Sequence, residues 1–216
     1  MLVVPQAVVR NYGNVVEGFG VIFRVGDIYE DTFLVSNLLP DSVVTVSFDT
    51  WVAVRGSYVV SCSTLLAGDL YLENNKRDSS LFVVYHDVGV EYIIQPVDTV
   101  LENEVVIPRA RVFNIGNVVE SFPVIFRVDS VGGGNVFLVI DTISLGVGET
   151  VDYSFSVGWS ALRGNYIVSC STMLLTDMNN LNNYRDSSLV VIAHDVGVEY
   201  IIQPVDTVLD LSLIHI

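Results

Sequence analysis

The chain is predicted to be all-β, a tandem of antiparallel β-sandwiches with Greek-key connections and about seven strands each. Three observations predict this. Apolar and polar residues alternate with a period of two, and no segment carries helical spacing with caps. Turn-forming Gly, Pro, Asn and Asp residues punctuate the chain between short apolar runs. The sequence also overlays itself: residues 86–100 and residues 194–208 both read HDVGVEYIIQPVDTV.

The strands follow in order. QAVVRNYGN (6–14) is a strand closed by a turn, repeated as RARVFNIGN (109–117). Gly13 and Gly116 are expected at positive φ there, where only glycine is unstrained. In FGVIFRV, Phe19, Val21, Phe23 and Val25 share one face, and Ile22 and Arg24 share the other. Phe122, Val124, Phe126 and Val128 repeat that face. LLPDS (38–42) and LGVGE (145–149) are turns, and VTVSFDTW carries the alternation into Trp51. After Arg55-Gly56, Tyr58, Val60, Cys62 and Thr64 face one side, opposite Val59, Ser61 and Ser63. Such strands are half-buried, as in antiparallel sheets.

The repeat defines the organisation. At an offset of 108, WVAVRGSYVVSCSTLL (51–66) falls on WSALRGNYIVSCSTML (159–174). Nearer the N-terminus the offset is 103, and the difference is absorbed around the triple-glycine loop DSVGGGNVF (129–137). Residues 1–85 are therefore expected to be a first repeat without its opening strand, and 86–193 a complete second repeat. Residues 194–210 are expected to be the opening strand of a truncated third, which either hangs free or pairs with an exposed edge. The last six residues, LSLIHI (211–216), leave the repeat. Back-translated as CTG TCT CTT ATA CAC ATC, they resemble the mosaic-end adapter of transposon-made sequencing libraries. Adapter read-through at a contig edge is the expectation.

Composition narrows the function. Among 216 residues, 51% are hydrophobic and 16% charged, enough apolar side chain to fill a core. A net charge of −15 disfavours nucleic acid and anionic lipid as partners. Mean hydropathy is positive, but no apolar run reaches the roughly 18–20 residues of a membrane span. The N-terminus has no basic n-region and no long apolar h-region. Two cysteines, one per repeat, give no disulfide framework.

The opening DVGV, the N-x-G-N turn before an F-x-V-x-F strand, and the late D…NN segment before the last strand resemble CARDB, the bacterial cell-adhesion-related domain. The resemblance covers essentially all of 1–210. It implies an immunoglobulin-like module repeated as a spacer or adhesion element of a large secreted or surface protein, often beside catalytic domains. The repeats depart from antibody-type domains. The single cysteine per unit cannot bridge the sheets, Trp51 and Trp159 directly precede the cysteine strand, and each tyrosine lies four residues before its cysteine. The usual tyrosine corner is therefore not expected.

Candidate chemistry is sparse. Cys62 and Cys170 occupy one inward position with no base in the motif, and are expected as buried apolar thiols. His86 and His194 open the duplicated segment beside Asp87 and Asp195. They read as linker histidines without partners, the alternative being a metal ligand or pH-sensitive hinge. His215 belongs to the adapter-like ending. The acidic loops offer the best site candidates: Asp69, Asn74, Asn75 and Asp78, aligned with Asp177, Asn182, Asn183 and Asp186. These hard oxygen donors suit Ca²⁺. Against that, Glu73 becomes Leu181, no D-x-D-x-D-G loop exists, and Asn and Asp also simply make turns. No G-x-S-x-G, H-E-x-x-H, phosphate loop or C-x-x-C is present.

The expectation is a non-catalytic spacer or adhesion module of a repeat array, extracellular or at the cell surface, whose partners are neighbouring repeats. The alternative is a glycan- or protein-binding accessory module of a secreted enzyme. That reading needs clustered exposed aromatics, and the loop residues Tyr71 and Tyr184 are not equivalent positions.

Overall fold

The computed structural model describes residues 1–207. The adapter-like ending 211–216 and the end of the third copy lie outside the described residues. The fold is all-β, with two one-turn 3-10 segments at Leu72–Asn74 and Asn180–Asn182.

The first unit contains β1 (Leu2–Val3), β2 (Gln6–Arg10), β3 (Glu17–Val25), β4 (Tyr29–Leu38), β5 (Val43–Ser47), β6 (Trp51–Val52), β7 (Gly56–Leu65) and β8 (Lys76–Val83). The second contains β9 (Val88–Gln95), β10 (Asp98–Leu101), β11 (Val105–Val106), β12 (Arg109–Asn114), β13 (Glu120–Ser130), β14 (Asn135–Leu145), β15 (Thr150–Ser154), β16 (Trp159–Ser160), β17 (Gly164–Thr172) and β18 (Tyr184–Ile192). The excess over seven strands comes from two-residue pairs, β1–β6 and β11–β16, and from the opening segment splitting into β9 and β10.

In the second unit a five-stranded sheet, ordered β10-β18-β17-β13-β14, packs on a three-stranded sheet, β15-β12-β9. All these pairs are antiparallel except β10 with β18, which run parallel from Asp98↔Leu189 to Leu101↔Ile192. The opening segment therefore contributes to both layers. Period-two alternation decides which side chains meet between them. Phe122, Val124, Phe126 and Val128 project inward from β13, against Val88 and Val90 of β9 and Ala110 and Val112 of β12. Trp159 packs edge-on against Tyr166, ring centroids 5.2 Å apart, and Phe126 meets Phe155 at 5.4 Å. Each large side chain so buried contributes roughly 1.5–3 kcal/mol.

The first unit has the same plan with fewer strands. The four-stranded sheet β4-β3-β7-β8 faces the pair β2-β5, around Val9, Phe19, Val21, Val35, Val46 and Phe48. Among the described residues no strand lies beside the free edges of β2 and β8, where β9 and β10 lie in the second unit. The difference reaches the core. Tyr166, Val168, Cys170, Leu189 and Val191 are buried, whereas their counterparts Tyr58, Val60, Cys62, Leu81 and Val83 are only half-buried.

Two local expectations are corrected. Gly13 and Gly116 are not among the glycines with positive φ; in this N-x-G-N turn the buried Asn sets the geometry instead. Asn114 donates to the carbonyls of Val118 (2.8 Å) and Leu145 (3.1 Å) and accepts from Gly116 N (2.9 Å). Asn11 does the same with Val15, Leu38 and Gly13. A tyrosine corner is also present in form. Tyr166 Oη donates to the Leu162 carbonyl at 2.7 Å, and Tyr58 Oη to that of Val54 at 3.1 Å, because the bend at Arg-Gly folds the preceding backbone over the ring.

Candidate functional site

The densest polar constellation sits where the first unit hands over to the second. Asp87 is 1% exposed. Its carboxylate accepts from Tyr85 Oη (2.9 Å), Asn182 Nδ2 (2.8 Å) and Asn179 Nδ2 (3.4 Å). Its carbonyl accepts from the backbone N–H groups of Ile115 (2.9 Å) and Gly116 (3.1 Å). A buried carboxylate persists only with such donors. Donation to Asp87 and desolvation raise the Tyr85 hydroxyl above its ordinary pKa, and nearby Arg55 opposes them.

Neighbouring groups complete a clasp. The Asn117 amide accepts from Tyr85 N (2.7 Å) and donates to the Val83 carbonyl (2.8 Å). The Arg55 guanidinium lies 5.0 Å from the centroid of the Tyr85 ring and donates to the Ile115 carbonyl at 3.2 Å. Asp177 holds the loop to β9: Oδ2 accepts from Val88 N (3.0 Å) and Oδ1 from Asn179 N (2.7 Å). His86 is not the partnerless linker residue expected, because its Nδ1 meets the Glu120 carboxylate at the start of β13, in the opposite sheet. The glycine of the turn is explained by close approach. A Cβ on Gly116 would stand 2.6 Å from the Tyr85 carbonyl oxygen and 3.1 Å from Asp87 N.

The candidate calcium donors divide. Asp177, Asn182 and Asn183 converge on β9, where the first two bind the Val88 amide and Asp87 respectively, and Thr172 Oγ1 hydrogen-bonds Asn183 at 3.1 Å. Asp186 points outward from β18 beside the Tyr184 hydroxyl at 3.4 Å. In the first unit Asp69 caps Tyr71 N at 2.9 Å, Asn74 is exposed, Asn75 accepts Thr64 N through its carbonyl, and Asp78 pairs with Lys76 at 3.0 Å. Among the described residues no three His, Cys, Asp or Glu side chains are grouped so as to hold a metal ion. Tyr184, expected in a loop, opens β18. Burial pushes the Cys170 thiol up to about 12 and raises that of Cys62 as well. Neither is a ready nucleophile.

Sequence reasoning missed Asp87, Asn117 and Glu120. The available signal was the duplication itself, since HDVG opens both copies and the N-x-G-N turn and a Glu three residues beyond it recur at Asn14 and Glu17.

In the first unit Asn14, Glu17, Asp69 and Asn74 stand where Asn117, Glu120, Asp177 and Asn182 stand in the second, and Tyr71 takes the place of Asn179. A groove of about 770 Å³ runs along β2, lined by Val9, Asn11, Phe19, Cys62, Asp69 and Asn74 among others. Residues 194–207, identical to 86–99, form no strand and are exposed throughout.

No family model matches the chain, and no curated protein matches it. Among solved structures, the chain is similar to the CARDB domain of the PF1109 protein from Pyrococcus furiosus. The crystal structure of that domain, in complex with di-metal ions, matches at 21% identity and a TM-score of 0.43, covering 53% of this chain and 100% of that one. Its solution structure matches at 23% identity and a TM-score of 0.41, covering 51% and 98%. The crystal structure of CBD12 from CALX1.2 matches at 6% identity and a TM-score of 0.31, covering 86% and 92%.

Proposed function

We infer that the chain is a non-catalytic spacer or adhesion module, one stretch of a repeat array in a secreted or cell-surface protein, with 86–193 as its complete unit. The observation that supports this reading is the junction. The polar groups that elsewhere would equip a site are spent on anchoring the entering chain inside the second sandwich and on binding the last residues of the first. Asp87 is held by Asn182, and His86 meets Glu120. Asn117 binds the backbone on either side of Val84, at Val83 and Tyr85. A spacer needs length, solubility and a fixed angle between units, and near-identical repeats supply all three. Among the described residues no helix is long and apolar enough to cross a membrane, and the strongly acidic composition suits a solvated surface. Two measurements test the reading together. Small-angle scattering of the chain should give one inter-unit arrangement, loosened by Asn117→Ala, and a glycan array should capture nothing specific. Specific glycan capture would favour the accessory-module alternative instead.

A further inference from the structure

We propose that the free edge of β14 is a homophilic contact, where two copies of this chain join β14 against β14, antiparallel about a twofold axis at Leu138. β14 closes the five-stranded sheet of the complete unit, and among the described residues only β13 pairs with it. Its outer edge is therefore a row of backbone N–H and C=O groups open to a further strand. The strand is long, eleven residues from Asn135 to Leu145. Three large apolar side chains stand on its solvent face: Val136, Leu138 and Ile140 are 50%, 51% and 57% exposed. Ile125 of β13 lies beside Ile140 and widens the apolar strip.

The first unit shows that the fold does not require such a face. On β4, Glu30 stands opposite Arg24 and forms a salt bridge with it at 2.6 Å. On β14, Leu138 stands opposite the equivalent Arg127, which turns to Asp129 on its own strand at 3.2 Å. Thr32 stands opposite Ile22, and Ile140 opposite the equivalent Ile125. β4 thus carries charge on its exposed edge, the usual guard against strand addition. β14 has one charged residue, Asp141, and its carboxylate is already taken by the Tyr153 hydroxyl and by the hydroxyl and amide of Ser156. The guard is missing from the one edge that also carries the apolar strip.

A second copy is the partner this surface fits. The chain carries a net charge of −15, so two copies meet most easily where neither presents charge. With Leu138 on the axis it faces its own counterpart, Val136 faces Ile140 of the second copy, and Ile140 faces Val136. The apolar pattern is its own antiparallel complement. The two Asp141 carboxylates then stand about 20 Å apart along the ladder, beyond the screening length of about 8–10 Å. Seven paired residues at about 3.3 Å each, over a depth of about 10 Å, bury roughly 500 Å² in all. A stable dimer needs about 1,000 Å², so one contact is transient. The axis makes the contact isologous, and it closes at two copies. The chain enters the unit beside the start of β18 and leaves at its end, so the strands run along the chain's path. Copies paired this way point in opposite directions, as chains from two facing surfaces do. Adhesion would then sum many such contacts along two arrays, and that step, unlike the pairing, rests on the array reading above.

The test uses the full chain. Leu138→Cys places a thiol at the axis, where facing residues of an antiparallel pair lie within disulfide reach. Mild oxidation should give a covalent dimer and nothing larger. Glu30→Cys, at the matching position of β4, should cross-link no faster than wild type, which serves as the blank for the native thiols. Sedimentation velocity of wild type up to about 1 mM should show a reversible monomer–dimer equilibrium. Leu138→Glu gives β14 the residue that β4 carries and sets like charges face to face. It should raise Kd at least about tenfold and leave the melting curve unchanged, since Leu138 is exposed in the single copy. A wild type that stays monomeric to about 1 mM would overturn the proposal. So would cross-linking at 138 no faster than at 30, or association that Leu138→Glu leaves intact. None of these outcomes touches the spacer reading, which the scattering and glycan experiments decide.

Discussion

Replacing Gly116 by alanine puts one methyl group into the junction, and the same change at Gly13 serves as an internal control. Both new Cβ atoms meet the side chain of the preceding Asn at nearly the same distance, 3.0 Å at Gly116 and 3.1 Å at Gly13, so that contact cancels. What remains at Gly116 is backbone: the Tyr85 carbonyl oxygen at 2.6 Å and Asp87 N at 3.1 Å. The 85–87 segment must move, and with it the bonds from Ile115 N and Gly116 N to Asp87 and from Asn117 N to Tyr85. Overpacking against a close-packed neighbour costs typically about 1–3 kcal/mol, and each weakened hydrogen bond about 1 kcal/mol net. The reduced chain entropy of the unfolded alanine variant returns about 0.4–1 kcal/mol. The expected net loss is about 2–3 kcal/mol for Gly116→Ala and under about 1 kcal/mol for Gly13→Ala. For a unit of about 100 residues the first corresponds to a fall in Tm of roughly 10–20 °C. Calorimetry at low protein concentration reads the shift, and hydrogen exchange over 86–95 and 109–117 locates it. Equal shifts for the two variants would refute the claim that close approach, and not the turn itself, requires glycine at 116.

Other expectations follow from the same geometry. Asp87→Ala strands the Asn182 amide and the Tyr85 hydroxyl and should cost about 3 kcal/mol in chemical denaturation, while Asp195→Ala should leave the stability of the single copy unchanged. In mildly alkaline buffer the native chain should alkylate at Cys62 before Cys170, whose thiol is pushed up to about 12, and mass spectrometry of the labelled peptides reads the order. Burial raises the Asp141 carboxyl, but the Ser156 hydroxyl and amide and the Tyr153 hydroxyl outweigh it and leave the group below its ordinary pKa. A proton is thus held less tightly in the folded state. The contribution is present above the ordinary carboxylate range and lost as pH falls through the depressed folded value, so Ser156→Ala should shift acid unfolding to higher pH. Millimolar calcium should leave Tm unmoved, since Asp177 and Asn182 already have protein partners; a rise would return the acidic loops to the role of ligands.

Strand periodicity was legible because burial between two sheets acts on every second residue. Val21 and Val124, or Tyr166, Val168 and Cys170, could be assigned to the inner face from alternation alone. The inward cysteine was readable for the same reason. The clasp was not. Asp87 is buried because a loop about 90 residues later brings Asn179 and Asn182 over it, and nothing local to HDVG encodes that approach. Gly116 misled in a related way. Glycine in an N-x-G-N turn suggests a backbone conformation, whereas here it answers to a carbonyl from the preceding unit. The tyrosine corner escapes a rule tied to its usual spacing from cysteine, because the hydroxyl needs only a carbonyl bent back over the ring. The free edges of β2 and β8 become meaningful only once β9 and β10 are seen occupying the same positions next door.

The parallel register of β10 and β18 bears on how such a unit carries tension. β10 follows β9, the strand by which the chain enters the second unit, and β18 ends where the chain leaves. In a parallel pair the entering end of one strand and the leaving end of the other sit at opposite ends of the ladder. A pull that has passed β9 therefore loads the four paired positions from Asp98 to Leu101 together, as a lap joint is loaded, and cannot peel them one by one. A unit whose β10 and last strand are joined this way resists stretching by the whole ladder at once.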